Sequence, residues 1–335
     1  MKSTLGPDEP TQAVASGAPR RRVDGRLVVL LVVVALYSRS TLAGSLNPVV
    51  LRTWTTVFVA IVVQALPFLV LGVLVSGAIT ALVSPLVLAR LLPRSPVLAV
   101  PGAALAGAAL PGCECASVPI AGRLTARGVQ PAAALAFMLA APAVNPIVLV
   151  ATAVAFPGQP EMVLARFLGS LGTSIVVGLL WSRLGGEGWV ERARRRAAGT
   201  SASGWPAFSS AARHDLWDAG GWLVVGAAAA ATLQVLVPRS LLLAVADHPA
   251  LSVLALGGLA VLLAICSEAD AFVAASLREF SLTARLVFLV VGPAVDVKLI
   301  AMQSGMFGRR FAARFAPLTF AVAVVCAVVA GRVLL

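Results

Sequence analysis

Three thiols, four carboxylates and an ammonium group stand in stretches of this chain that are otherwise apolar. Cys113-Glu114-Cys115 runs on into Ala116-Ser117-Val118-Pro119, and Cys266-Ser267-Glu268 into Ala269-Asp270-Ala271-Phe272. Downstream of each lies a Pro-bearing stretch, Ala141-Pro142-Ala143-Val144-Asn145-Pro146 and Gly292-Pro293-Ala294-Val295-Asp296-Val297-Lys298. An ionisable group in hydrocarbon costs about 2.5–3.5 kcal/mol on insertion scales, so it survives there with a partner or a function. Thiolates are soft ligands, and Cys113, Cys115 and Cys266 gathered at one centre would suit a thiophilic solute. As small residues the same cysteines also suit plain packing between helices.

The local pattern predicts how these groups are presented. In a regular helix residues i and i+2 point about 200° apart, so Cys113 and Cys115 could not meet one ligand. Pro111-Gly112 before them and Pro119 after them predict a broken helix. An unwound segment there would turn both sulfurs inward and free backbone groups for a solute. Glu114, Glu268, Asp270 and Asp296 are intramembrane acids on this reading, with Lys298 as counter-charge. Asp296 and Lys298 on one helix would not face each other, so the expected pair is Asp270 with Lys298 across the bundle. Such a pair is either a proton relay or a structural ion pair. Asn145 and Asp296 occupy corresponding breaks, where an amide or carboxylate caps exposed backbone amides or touches solute.

The elements that must position these groups are membrane helices. The chain has 335 residues, of which 59% are hydrophobic and only 12% charged, about half the charged fraction of a soluble domain. Its mean hydropathy is +0.96. Many apolar runs approach the roughly 20 residues of a spanning helix, and nothing alternates as barrel strands do. The formal net charge of +12 sits in Arg-rich connecting segments without interleaved aromatics. That is cytoplasmic topology charge rather than a nucleic-acid surface. There are four cysteines without zinc-type spacing, and Cys326 reads as a small buried hydrophobe. His214 and His248 fall in loops and suggest no metal site. No phosphate-cradling loop is present, so ATP binding and other cofactors are not expected.

Along the chain, residues 1–25 read as a disordered basic cytoplasmic tail. Residues 26–50 hold a first transmembrane helix, in competition with a signal-peptide reading of Leu27–Tyr37. Residues 51–184 form one permease-like unit, 185–214 a basic cytoplasmic loop, and 215–335 a second unit. The spans expected within them include Thr53–Val83, interrupted by Pro67, then Pro131–Phe156, Met162–Arg183 and Leu216–Val237. A further span, Thr283–Met306, is broken around Gly292-Pro293. Arg123, Arg127 and Arg278 are expected to snorkel to the interface. Gln64 to Gly72 aligns with Asp218 to Gly226, Cys113 with Cys266, and Pro142 with Pro293, all in the same order and at nearly constant offset. The positive-inside rule then orients the two copies oppositely. Segments 97–127 and 251–278 enter from opposite faces, as re-entrant hairpins or full spans. The expected fold is an all-α polytopic membrane bundle of two inverted repeats with interrupted helices, about eight to ten membrane segments in all.

At these residues the chain resembles the predicted-permease family that includes the ArsP-type organoarsenical efflux permeases. The likeness covers roughly residues 50–330 and rests on Cys113-x-Cys115-x-x-Val118-Pro119, Cys266-Ser267-x-x-Asp270-Ala271-Phe272 and Gly292-Pro293-x-x-Asp296-x-Lys298, with Pro142-x-x-Asn145-Pro146 in support. It implies a multi-pass inner-membrane permease and, for some members, export of trivalent organoarsenicals. Glu114 stands where that family usually has a small residue, and Glu268 is likewise unusual. The added negative charge would suit a cation or a proton-coupled step. The leading expectation is a secondary permease moving a small solute, such as a metalloid, organoarsenical or metal species, through a midplane site. Two other readings are a membrane thiol oxidoreductase using Cys113 and Cys115, and a membrane subunit that scaffolds a partner.

Overall fold

The computed structural model describes residues 48–82, 95–108, 114–185, 188–197, 205–236 and 248–335. The expected tail, nearly all of the first helix 26–50 and Cys113 lie outside the described residues. Thirteen described helices follow one another: α1 Pro48–Leu82, α2 Pro96–Ala108, α3 Glu114–Ala126, α4 Pro131–Ala140, α5 Pro146–Ala155, α6 Pro160–Leu184, α7 Gly188–Ala197, α8 Trp205–Leu236, α9 Pro249–Leu263, α10 Asp270–Ser276, α11 Leu282–Ala294, α12 Val297–Met306 and α13 Arg309–Leu334. No strand occurs among the described residues. Proline opens α1, α2, α4, α5, α6 and α9. Its fixed φ suits the first helical turn, and the N–H it lacks would have no helical partner there.

The sidedness of the helices is that of a protein in lipid. On α6 the inward face carries Arg166, Ser170, Thr173 and Ser174, all buried, while Leu164, Leu168 and Val176 face outward. On α1, Ala65, Leu69 and Val73 point in at helical spacing while Val63, Leu66, Val70 and Leu74 point out. A soluble protein would not leave such continuous apolar faces uncovered. Among the described residues, four helical segments are long and apolar enough to cross a membrane: Val49–Ala78, Pro160–Leu184, Leu282–Met306 and Arg309–Leu334.

The helices pack in a reciprocal pattern. α1 lies along α8, and α6 along α13. α3 from the first half meets α12 of the second, and α5 meets α10. In the sequence alignment of Cys113 with Cys266 and Pro142 with Pro293, these last two contacts are counterparts of each other. The core is densest at α11, where every residue from Leu286 to Ala294 is buried. The correspondence is incomplete, since α1 packs on α3 whereas α8 packs on α12.

Several local expectations are corrected. Pro67 lies inside α1 and does not interrupt it. The break expected at Gly292-Pro293 comes later, at Val295-Asp296, because the helix tolerates Pro293 in its last turn. The segment read as a loop, 185–214, carries α7 and the first ten residues of α8, which include His214. Trp189 anchors α7 in the core, with ring centroids 5.4 Å from Phe307 and 5.1 Å from Phe311.

Candidate functional site

Two glycines let the backbones of the two halves approach their chemistry-bearing helices. A side chain on Gly72 of α1 would overlap Ala116 Cα of α3, and a methyl group on Gly226 of α8 would stand 2.7 Å from Lys298 Cα of α12. The aligned glycines therefore do the same work, each seating a long helix against the turn that holds a charged residue. Glu114 and Cys115 lie in the first turn of α3, where a carboxylate also complements the positive helix end. The sequence reading placed Glu114 and Cys115 in an unwound stretch; the structure gives a helix from Glu114 onward that runs through the buried Pro119. Proline has no N–H to give, so the Cys115 carbonyl lacks its helical donor even though the helix continues.

Glu114 meets Lys298. The Lys298 Nζ donates to Glu114 Oε1 at 2.6 Å and to the Ala264 carbonyl at 3.5 Å. Ala264 ends α9 in the left-handed region, φ 49°, and opens the non-helical stretch that carries Cys266, Ser267 and Glu268. Asp296 Oδ2 lies 3.8 Å from the same ammonium. The expectation that Asp296 and Lys298 would point apart assumed one continuous helix. Asp296 is instead the N-cap of α12, its Oδ1 accepting from Leu299 N, which leaves the second oxygen free to turn toward Lys298.

Asp270, expected to pair with Lys298, pairs with Arg166. The guanidinium of Arg166 on α6 donates to Asp270 Oδ2 at 2.8 Å, to Thr152 Oγ1 of α5 at 2.8 Å and to the Ser267 carbonyl at 3.1 Å. Arg166 is wholly buried, and a planar fork of donors can satisfy three acceptors where an ammonium could not do so in one plane. The sequence reading missed Arg166. Its signal was available: a lone Arg in the apolar interior of Pro160–Leu184 cannot stay uncompensated. Asn145 caps α5 by accepting from Val148 N at 3.0 Å and donates to Ala141 O at 3.0 Å. It thereby sets the helix that brings Thr152 to Arg166.

The result is one buried cluster drawn from both halves. Glu114, Asp270, Asp296, Arg166 and Lys298 are all at most 2% exposed. Cys115 and Cys266 are free, buried and within electrostatic reach of Lys298. Four carboxylates, with Glu268, face two cations. Glu114 Oε2, both Glu268 oxygens, Asp270 Oδ1 and Asp296 Oδ2 are buried without a hydrogen-bond partner. Unpaired acceptors in a low-dielectric interior are costly, so these oxygens have the capacity to accept donors or positive charge.

A second ion pair fastens the far end of α3. Arg123 donates to Asp215 through Nε at 3.0 Å and Nη2 at 2.7 Å, and Ser76 Oγ donates to the same carboxylate at 2.7 Å. Arg123 is 7% exposed and does not snorkel, because a bidentate partner lies within the bundle. Asp215 precedes the expected span Leu216–Val237. Burial alone would push its carboxyl up, but His214, Arg123 and Ser76 together outweigh that and hold it below its usual range.

A family model described as ArsP_1, predicted permease, matches residues 50–332. The chain belongs to this permease family. Among curated relatives of the permease, the UPF0718 protein YcgR of Bacillus subtilis is 36% identical over 81% of the chain and 94% of its own length. A Streptococcus mutans protein named "Putative two-component membrane permease complex subunit" is 30% identical over 82% of the chain and 94% of its own length. No solved structure matches. The permease is thus a multi-pass helical membrane protein, and a lipid bilayer and a small solute are its implied surroundings.

Proposed function

We propose that the permease is a secondary transporter that moves a small solute between two oppositely oriented halves, through the cluster of Glu114, Cys115, Asn145, Cys266, Glu268, Asp270, Asp296 and Lys298. The observation that carries this reading is the burial, at helix breaks of both halves, of more carboxylates than cations beside two free thiols. Broken helices meeting in a bundle interior are a recurring plan for a solute site. The thiols favour a thiophilic cargo, a trivalent organoarsenical or a soft metal species, with Pro119 at that end of the site and Cys113, outside the described residues, as a further candidate from the sequence. The surplus acids favour protons as the coupling ion. On this reading the N-terminus and segment 185–214 face the cytoplasm of the cell membrane, and the direction of transport is export.

Purified permease in liposomes tests the reading against a panel of trivalent arsenicals and soft metal cations. Wild-type protein is expected to move at least one of them above empty liposomes, and Cys115→Ser, Cys266→Ser and Asp270→Asn to lose that movement. Retained transport in all three variants would remove these residues from the site. Turnover-linked oxidation of the thiols without solute movement would favour an oxidoreductase instead.

The name of the Streptococcus mutans relative favours a second element, that the permease works as one subunit of a complex. Isolation from native membranes in fixed ratio with a second membrane polypeptide is expected. Isolation from native membranes with no second membrane polypeptide in fixed ratio would count against it.

A further inference from the structure

The three buried acids of the cluster are each held by a cation or a backbone amide. Glu114 has Lys298, Asp270 has Arg166, and Asp296 has the Leu299 amide with Lys298 beside it. Glu268, half-buried as a residue, has no ion pair and only its own backbone amide beside its carboxylate; both of its oxygens are out of contact with solvent and neither makes a hydrogen bond of normal geometry. It sits between α9 and α10 on the non-helical stretch that Ala264 opens. The next residue back, Ser267, is fully buried and leaves its hydroxyl unpartnered. The charged groups within reach of Glu268 are Glu114 from α3, Lys298 from α12, Arg166 from α6 and Asp270 from α10. Both cations in that set are already engaged.

Resting on the permease reading, we propose that Glu268 is the residue that carries the coupling proton. In the arrangement described here the proton sits on a Glu268 oxygen, and the carboxylic acid is neutral. The unpartnered oxygens of the acids within its reach are Glu114 Oε2 and Asp270 Oδ1, both acceptors. A proton on Glu268 therefore supplies both the missing positive charge and a missing donor. No grouping of three or more His, Cys, Asp or Glu among the described residues could hold a metal ion, which favours a proton over a metal cation in this role. Glu268 lies in the turn that Ala269 N and Asp270 N close onto the Cys266 carbonyl, just before α10 begins, so the turn aims its carboxyl while the side chain keeps its own rotations. A proton taken from water on one face is then given up to water on the other, and the carboxylate left behind accepts the next.

Infrared difference spectra of the purified full-length permease in lipid, recorded between acid and alkaline pH, test this without knowledge of the cargo. A protonated-carboxyl band that vanishes as pH rises is expected in wild type and in Gly102→Ala, whose added methyl group meets nothing. It is expected to be absent in Glu268→Gln and shifted in Glu268→Asp, with size-exclusion profiles confirming that each variant is folded. A band that survives in Glu268→Gln, or the lack of any titrating band in wild type, overturns the assignment. A parallel arm loads liposomes with a pH dye and imposes a gradient of a trivalent methylarsenical. Arsenic movement with proton movement in wild type, and arsenic movement without it in Glu268→Gln, supports the coupling role. Proton movement that persists in Glu268→Gln overturns it. If wild type moves no arsenical, the choice of cargo fails, while the infrared result still decides Glu268.

Discussion

Asn145 and Asp296 do the same job in the two halves: each ends a Pro-bearing break and accepts, through its side-chain oxygen, the backbone amide three residues on. One is an amide and the other an acid, and the difference is where the second atom goes. Asn145 turns its Nδ2 back to the Ala141 carbonyl, while Asp296 turns its second oxygen to within 3.8 Å of Lys298.

The shared part of that relationship is worth a cap. Asn145→Ala is expected to cost about 1 kcal/mol of stability, read as a lower unfolding temperature in detergent. Asp296→Asn keeps an oxygen for Leu299 N, so it is expected to unfold near the wild-type temperature while altering transport. An Asp296→Asn protein as destabilised as Asp296→Ala would show that the charge, not the cap, holds α12.

Lys298 and Glu114 form a pair whose single loss is worse than its joint loss. Lys298→Met leaves Glu114 and Asp296 buried without their cation, at a cost of about 3–5 kcal/mol. The double variant Lys298→Met with Glu114→Gln is expected to recover a large part of that. A double-mutant cycle on thermal stability measures it, and additive losses would mean that the two groups are not coupled in the membrane.

Gly72 and Gly226 are close-approach positions. Gly226→Ala places a methyl group 2.7 Å from Lys298 Cα, an overpacking expected to cost about 1–3 kcal/mol. Gly102, whose added Cβ meets nothing, serves as the control: Gly102→Ala is expected to be neutral or slightly stabilising in the same unfolding assay.

Asp215 sets an acid limit. Its folded carboxyl is held below the usual range, so the Arg123 contact contributes fully above the unfolded value of about 4. That contribution is lost as pH falls from there through the lower folded value. Wild-type unfolding temperature is expected to drop across that window, and the Asp215→Asn protein, less stable at neutral pH, to show a shallower drop. Parallel acid limbs in the two proteins would assign the drop to other carboxylates.

Much of this was legible in the sequence because lipid makes ionisable residues conspicuous. Glu114, Glu268, Asp270, Asp296 and Lys298 were singled out by type and surroundings alone, and the structure brings all five into one cluster. Their pairing was not legible. It depends on which helices cross: Lys298 was matched with Asp270 because Asp296 and Lys298 on one helix would not face each other, and Arg166 was given no role. Proline misled in the other direction. Pro67 and Pro119 suggested breaks, yet both lie within continuous helices, whereas the breaks expected at Asn145 and Asp296 are present, at Ala141–Asn145 and Val295-Asp296. There a side chain was present to take up the freed amides, and that support, rather than the ring, decides where a helix stops.

Helix α3 is moored at both ends to the second half, by Glu114 to α12 and by Arg123 to α8. The two moorings are nine residues apart in sequence, roughly 13 Å along a helix. Casting off both at once would strand four charges in a dry interior, so a tilt of this strut has to pivot on whichever end still holds. Such a rocker gives way at one end only while the other stays tied. The passage beside it would then behave like an airlock, with its two doors worked by a single beam.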